Sequence, residues 1–134
     1  MIQLKGISWD HPRGFDPMVA TAKKFNQKYP EIKIEWDKRP LQAFADRPIE
    51  NMAFEYDLMV IDHPHVGEAS RKNLLLELDD YEEYKNQLSE LFKNSVGKSH
   101  ESYNFNNHQY ALAIDAAAPV AAYNKKFINE LPLT

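Results

Sequence analysis

Two short clusters of polar and aromatic residues carry the side chains best suited to chemistry or ligand recognition. The first spans residues 9–14 (WDHPRG) and the second residues 62–67 (DHPHVG). Each combines aspartate with histidine, and the first adds an indole ring and a guanidinium. Such groups can stack on a ring, hold a carboxylate or phosphate through paired hydrogen bonds, and accept hydrogen bonds from hydroxyls or amines. A further carboxylate, Asp115, directly follows an apolar run at residues 110–114.

These side chains predict a binding site for a small polar organic molecule. The candidate ligand-binding residues are Trp9, Asp10, His11, Arg13, Asp62, His63, His65 and Asp115. Gly14 and Gly67 are expected to let the backbone approach a ligand closely. Each residue also has a structural interpretation, in which the aspartates cap turns and Trp9 fills the core.

The histidines leave a second interpretation open, a metal site or a His/Asp-dependent enzyme. His11, His63 and His65 could join an aspartate around a metal ion, or a His–Asp pair could act as a general base. The sequence contains no serine nucleophile elbow, Walker loop, GxGxxG run or HExxH motif, and its four glycines are scattered. We therefore expect binding rather than catalysis, without a metal ion or cofactor.

The composition is typical of one folded domain. The 134 residues are 43% hydrophobic and 12% aromatic, which is enough for a core. The net charge is −4 and no Lys/Arg run exceeds two residues, so nucleic acid is not an expected partner. The absence of cysteine excludes disulfides and thiolate chemistry. No apolar run has the length of a membrane span or signal peptide, and the compartment stays open.

The elements that must position these clusters alternate between strand and helix. Residues 4–9 and 32–36 are predicted strands, and the apolar run at residues 58–61 is typical of a central parallel strand. A helix is expected to begin with Asp16 as N-cap and Pro17 at its first position. Further helical segments are predicted near residues 41–45, 49–56, 68–73 and 79–92. Alternating strands and helices predict an α/β sheet, with ligand groups at the carboxyl ends of its strands.

The later part of the sequence differs in character. Residues 94–107 are polar and loop-like, and His100 and His108 are expected to face water. Residues 110–114 are a predicted strand and residues 119–123 a further extended run. A last helix is expected to begin near Asn124.

The order of four segments resembles the bacterial extracellular solute-binding proteins of ABC transporters, in the group often called family 1. The segments are YDLMVID at residues 56–62, LLLELDD at 74–80, HQYALAID at 108–115 and VAAYNKKF at 120–127. Each is degenerate alone, but together they follow the order of the family across most of the chain. The first two clusters are also similar to a subgroup of these proteins.

The resemblance implies a three-layer α/β lobe of the periplasmic-binding-protein-like (Venus flytrap) fold, with a mostly parallel central sheet and helices on both faces. Residues 1–115 would form the first ligand-binding lobe. Residues 116–134 would form the hinge crossing and the start of a second lobe that is missing. The implied function is capture of a carbohydrate or organic anion between two lobes, for delivery to an ABC permease. The family is periplasmic or extracellular.

Three departures from the family pattern leave the ligand class open. His108-Gln109 stands where Gly-Lys is usual, Ala113 replaces a proline, and residues 116–118 offer no hydrogen-bonding side chains at the hinge. A truncated chain without ligand function is a third interpretation. The exposed cleft of a single lobe would also favour self-association.

Overall fold

The computed structural model describes residues 1–117, 122–124 and 126–127, with only the backbone described for residues 44–46. Its helices and strands are, in chain order, β1 (Ile2–Trp9), α1 (Pro12–Lys28), β2 (Ile32–Arg39), α2 (Leu41–Asp46), α3 (Ile49–Glu55), β3 (Leu58–Met59), α4 (Val66–Arg71), α5 (Lys85–Asn94), β4 (Asn104–Phe105) and β5 (His108–Gln109). Short 3-10 turns lie before α4, α5 and β4. None of the helices that the structure describes is long and apolar enough to cross a membrane.

A three-stranded parallel sheet in the order β2-β1-β3 organises the chain. β1 pairs with β2 over its whole length. On the other side of β1, Gly6 lies opposite Leu58 and Ile7 opposite Met59. The amide of Val60 donates to the carbonyl of Ile7 at 2.9 Å, just beyond β3. The predicted α/β class with a parallel sheet is therefore confirmed.

The two faces of the sheet pack against different helices. Ile7 of β1 joins Ile49 and Met52 of α3 in the buried core cluster. Successive side chains of a strand point to opposite faces, and on the other face Lys38 of β2 lies over the ring of Phe15 in α1. The β1-to-β2 and β2-to-β3 connections run in opposite directions across the sheet. Right-handed crossovers therefore place their helices on opposite faces.

The predicted start of the first helix is wrong. α1 begins at Pro12 with His11 as its N-cap, and Pro17 lies inside the helix. Both prolines have the φ angle of a first helical position, but only the earlier one follows a residue that caps the helix. The Nδ1 atom of His11 accepts a hydrogen bond from the amide of Arg13 at 3.1 Å.

The predicted strand at residues 110–114 is also wrong. Those residues have no regular structure, and β4 and β5 form a hairpin just before them. Asn106 and Asn107 connect the two strands with positive φ angles of 51° and 67°, which asparagine tolerates better than most residues. The side chain of Gln109 donates to the carbonyls of His100 and Ala111. The second bond occupies a carbonyl of residues 110–114 that a neighbouring strand would otherwise use.

The predicted helix at residues 79–92 is broken into two 3-10 turns followed by α5. The extended run at residues 119–123, the last helix near Asn124 and most of the predicted hinge fall largely outside the described residues. Nothing in the described part tests the division at residue 115.

Gly6 allows the side chain of Trp36 to lie directly on the central strand. A Cβ atom at Gly6 would lie 2.6 Å from two ring carbons of Trp36, Cδ2 and Cε3. Atoms cannot approach so closely, so a larger residue at this position must push the indole away from the backbone of β1.

The substitution Gly6→Ala should therefore lower the free energy of unfolding by about 1–3 kcal/mol, the usual cost of overpacking. Urea denaturation of the single variant measures this loss. In a Trp36→Leu background the same substitution should cost less than half as much, because the indole is gone. An equal cost in both backgrounds would contradict this explanation.

Candidate functional site

A cavity of about 830 Å³ lies beyond the carboxyl ends of β1 and β3. Its volume is in the range of small-molecule sites. One wall contains Trp9 and the start of α1, and a second contains Val60 to His63. From β1 the chain continues to β2 on one side of β1, while β3 lies on the other side of β1. The connections that follow β1 and β3 therefore leave the carboxyl ends of these strands in opposite directions. Open α/β sheets bind ligands at such a switch point.

Six of the eight candidate ligand-binding residues line this cavity, namely Trp9, His11, Arg13, Asp62, His63 and Asp115. The fold thus brings together both sequence clusters and the carboxylate that follows residue 114. Asp10 and His65 are not among the lining residues. Asp10 forms an ion pair with Lys38 of β2 at 2.8 Å. His65 is half-buried in the 3-10 turn that leads into α4.

The first wall is held by packing at the start of α1. The rings of Trp9 and His11 are stacked, with centroids 6.4 Å apart and planes 15° apart. Because Nδ1 of His11 accepts the amide of Arg13, the neutral imidazole carries its proton on Nε2. His11 therefore caps the helix with one nitrogen and keeps a donor on the other.

The two glycines expected to approach a ligand instead approach aromatic side chains. A Cβ atom at Gly14 would overlap the indole of Trp9. One at Gly67 would lie 3.3 Å from the ring of Phe105. The structure thus gives both glycines a packing role: one seats the indole against α1, and the other seats the hairpin against α4.

An ion pair joins two parts of the cavity lining that are far apart in sequence. Nη2 of Arg13 lies 2.8 Å from Oδ2 of Asp115. The guanidinium is more exposed than its partner, with 59% of the Arg13 side chain and 31% of the Asp115 side chain accessible. Asp62 differs, because within the described residues its carboxylate makes no hydrogen bond or ion pair.

Tyr103 lines the cavity together with Asp62 and Asp115. Its hydroxyl donates to the backbone carbonyl of Ile61 at 3.1 Å. Burial raises the pKa of Tyr103, and the negative charges of Asp62 and Asp115 raise this pKa further. The phenol therefore stays protonated at neutral pH, as its bond to Ile61 requires.

Sequence reasoning missed the third wall of the cavity, which comes from the segment expected to be a polar loop. The lining residues from this wall are Val96, Gly97, Lys98, Ser99, Ser102 and Tyr103. Gly97 has a positive φ of 55°, a conformation that favours glycine. A glycine and a tyrosine within a polar run were the available signals, but neither indicates which strands the segment faces.

One group of three candidate metal ligands occurs among the residues that the structure describes: Glu77, Asp80 and His108. Their ligand atoms lie within 4.8 Å of one another, and imidazole with carboxylates suits zinc and similar ions. None of the histidines proposed as an alternative metal site belongs to this group. Nδ1 of His108 lies 3.3 Å from carboxylate oxygens of Glu77 and of Asp79, so acidic neighbours surround the imidazole.

The expectation that His100 and His108 face water is wrong for His100, which is only 5% exposed. It is partly correct for His108, whose side chain is 36% accessible. The ring of His100 meets Phe92 of α5 edge to face, with centroids 6.0 Å apart. Burial lowers the pKa of His100 because the charged imidazolium loses its hydration.

The sequence matches no protein-family model, and no curated protein matches it at a significant level.

Stability should fall in mild acid because His100 is buried in its neutral form. Its pKa in the folded chain lies below the ordinary value of about 6.5 expected in the unfolded chain. Below that value the unfolded chain binds a proton that the folded chain does not, so the free energy of unfolding decreases. Urea denaturation between pH 7 and pH 5 measures how steeply the free energy of unfolding changes with pH. Both His100→Gln and His100→Phe should make this pH dependence less steep, whatever the absolute stability of each variant. An unchanged pH dependence in both variants would contradict this account.

His11 should stabilise the fold through its capping nitrogen. Replacing His11 by alanine removes the acceptor for the amide of Arg13 and should cost about 1 kcal/mol of unfolding free energy, as other N-cap losses do. The matched variant His11→Asn keeps an acceptor at the N-cap, and its unfolding free energy should fall by less than half as much. Equal losses of stability in the two variants, measured by thermal denaturation, would assign the effect to stacking on Trp9 instead.

Proposed function

We propose that residues 1–115 form the first ligand-binding lobe of a solute-binding protein that serves an ABC importer. In this proposal the cavity binds a small polar organic solute, and the lobe has the three-layer periplasmic-binding-protein-like architecture. The observation that carries the proposal is that the cavity at the switch point gathers six of the eight ligand-binding candidates. The order of the four family-like segments along the chain is the second support.

The exposure of the lining supports a site that is completed by another surface. Asp62 and His63 are exposed, as are Asp115, Ala116 and Ala117. Small-molecule sites usually bury most of their ligand. We infer that a second lobe would close over this edge, and that the closed two-lobed protein would then engage the membrane permease.

Binding explains the cavity better than catalysis does. A histidine that acts as a general base is normally oriented by a hydrogen bond from its second nitrogen to a carboxylate. Within the described residues, neither His11 nor His63 makes such a bond, and the one side-chain hydrogen bond of His11 is accepted from the backbone amide of Arg13. The proposal therefore includes no reaction, no cofactor and no nucleic-acid partner.

A screen of polar solutes by ¹H–¹⁵N NMR tests this function. Pools of small sugars, organic acids and amines should contain at least one compound that shifts the amides of Trp9, Asp62 and Tyr103 together. Replacing Trp9 by alanine should weaken the binding of that compound about tenfold or more, since the indole supplies much of the apolar contact with the ligand.

The control is Phe54→Ala, which removes another aromatic ring at a position that is 84% exposed and outside the cavity lining. This variant should bind as the wild type does. Shifts confined to other surfaces, or no shifts with any pool, would refute the proposed function.

A further inference from the structure

The charged side chains that line the cavity favour one chemical class among the small polar solutes considered above. We propose that the solute carries a protonated amine, and that the carboxylate of Asp62, beside the ring of Tyr103, is its counter-ion. This inference rests on the proposed function, because it assigns a ligand class to the same cavity.

The charged side chains of the lining are unequally paired. Arg13 is neutralised by Asp115 at 2.8 Å. Lys98 lies 3.4 Å from a carboxylate oxygen of Glu101, three residues further on. Asp62 alone among these lining charges has no oppositely charged partner in the described part of the chain. Within the described ranges of the chain, the cavity therefore presents one uncompensated negative charge.

Aromatic surface accompanies that charge. The Tyr103 hydroxyl donates to the carbonyl of Ile61, the residue before Asp62, which fixes the phenol ring close to this carboxylate. Trp9 lines the same cavity. Carboxylates bind ammonium groups through charge-assisted hydrogen bonds, and aromatic faces attract cations, so the two features select the same chemical group. The raised pKa of Tyr103, to which Asp62 contributes, agrees with this proximity.

Other polar solutes fit this arrangement less well. An organic anion would have to displace Asp115 from Arg13, and Asp62 would still repel it. A neutral polyol would leave the Asp62 charge uncompensated when the cavity closes, and burying an unpaired charge is costly. An ammonium group removes that cost and leaves the Arg13–Asp115 pair intact.

Three probes of nearly equal size and shape test the assignment: benzylamine, benzyl alcohol and benzoate, followed by ¹H–¹⁵N NMR at pH 7. Benzylamine, protonated at this pH, should bind about tenfold or more tightly than the other two, the usual value of one charge-assisted hydrogen bond. It should shift the amides of Asp62, His63 and Tyr103.

Asp62→Asn keeps the size of the side chain and removes its charge, and it should abolish the preference for benzylamine. The matched control is Asp16→Asn, at an exposed position of α1 outside the cavity lining, and it should retain the preference. Unchanged resonances of α1 and β2 in Asp62→Asn would verify that the fold is intact.

The outcomes separate this inference from the proposed function. Tighter binding of benzoate or benzyl alcohol in the cavity, or a preference for benzylamine that survives Asp62→Asn, overturns the ammonium assignment and leaves a solute site in place. If no probe shifts the cavity amides, the ammonium assignment fails. If the wider solute pools also fail, the proposed function falls with it.

Discussion

The two-sided pairing of β1 is the constraint on which the rest of this structure depends. β1 bonds β2 along its full length and β3 over a short stretch on its other edge. Since both neighbours are parallel to β1, each connection must return to the same end of the sheet and cover a face with helix. The chain therefore leaves the carboxyl end of β1 in one direction and that of β3 in another, and the gap between them is the cavity.

Close packing around glycine keeps that edge in place. Trp36 lies on the backbone of β1 at Gly6, and Trp9 lies on the first turn of α1 at Gly14. One contact ties the two longest strands together, and the other ties the end of β1 to the helix that follows it. The contact at Gly14 brings the start of α1 close to the end of β1, where His11 and Arg13 line the cavity.

Local patterns predicted the order of strands and helices in the first half of the fold, but not all of their boundaries. The alternation of Ile32, Ile34 and Trp36 with charged residues gave a strand with one exposed face, and the structure has the same pattern. The apolar run at residues 58–61 predicted a central strand, which is wrong for the described sheet: β1 is central, and β3 is an outer strand of only two residues. The turn residues after the run nevertheless follow the carboxyl end of that strand, so Asp62 and His63 reach the cavity. The start of α1 was misjudged because two prolines offered the same local signal, and only the capping bond of His11 distinguishes them.

The second half depended on contacts that no local pattern encodes. Residues 96–103 reach the cavity through the bond from Tyr103 to Ile61, across a separation of 42 positions. The run at residues 110–114 has the composition of a strand, but Gln109 engages its backbone first. His100 and His108 lie in a polar segment, yet α5 and the acidic turn before it cover them.

The Arg13–Asp115 pair also has a consequence for the order in which the molecule is assembled. Its partners are 102 positions apart, whereas α1 and the β1–β2 ladder need only the first 39 residues. Contacts between distant residues close large loops and are entropically costly to form early. During synthesis Arg13 therefore emerges well before the carboxylate that pairs with it. The ion pair with Asp115 forms only when residues 110–117 dock against the start of α1, so the site is completed late in folding rather than together with the sheet that supports it.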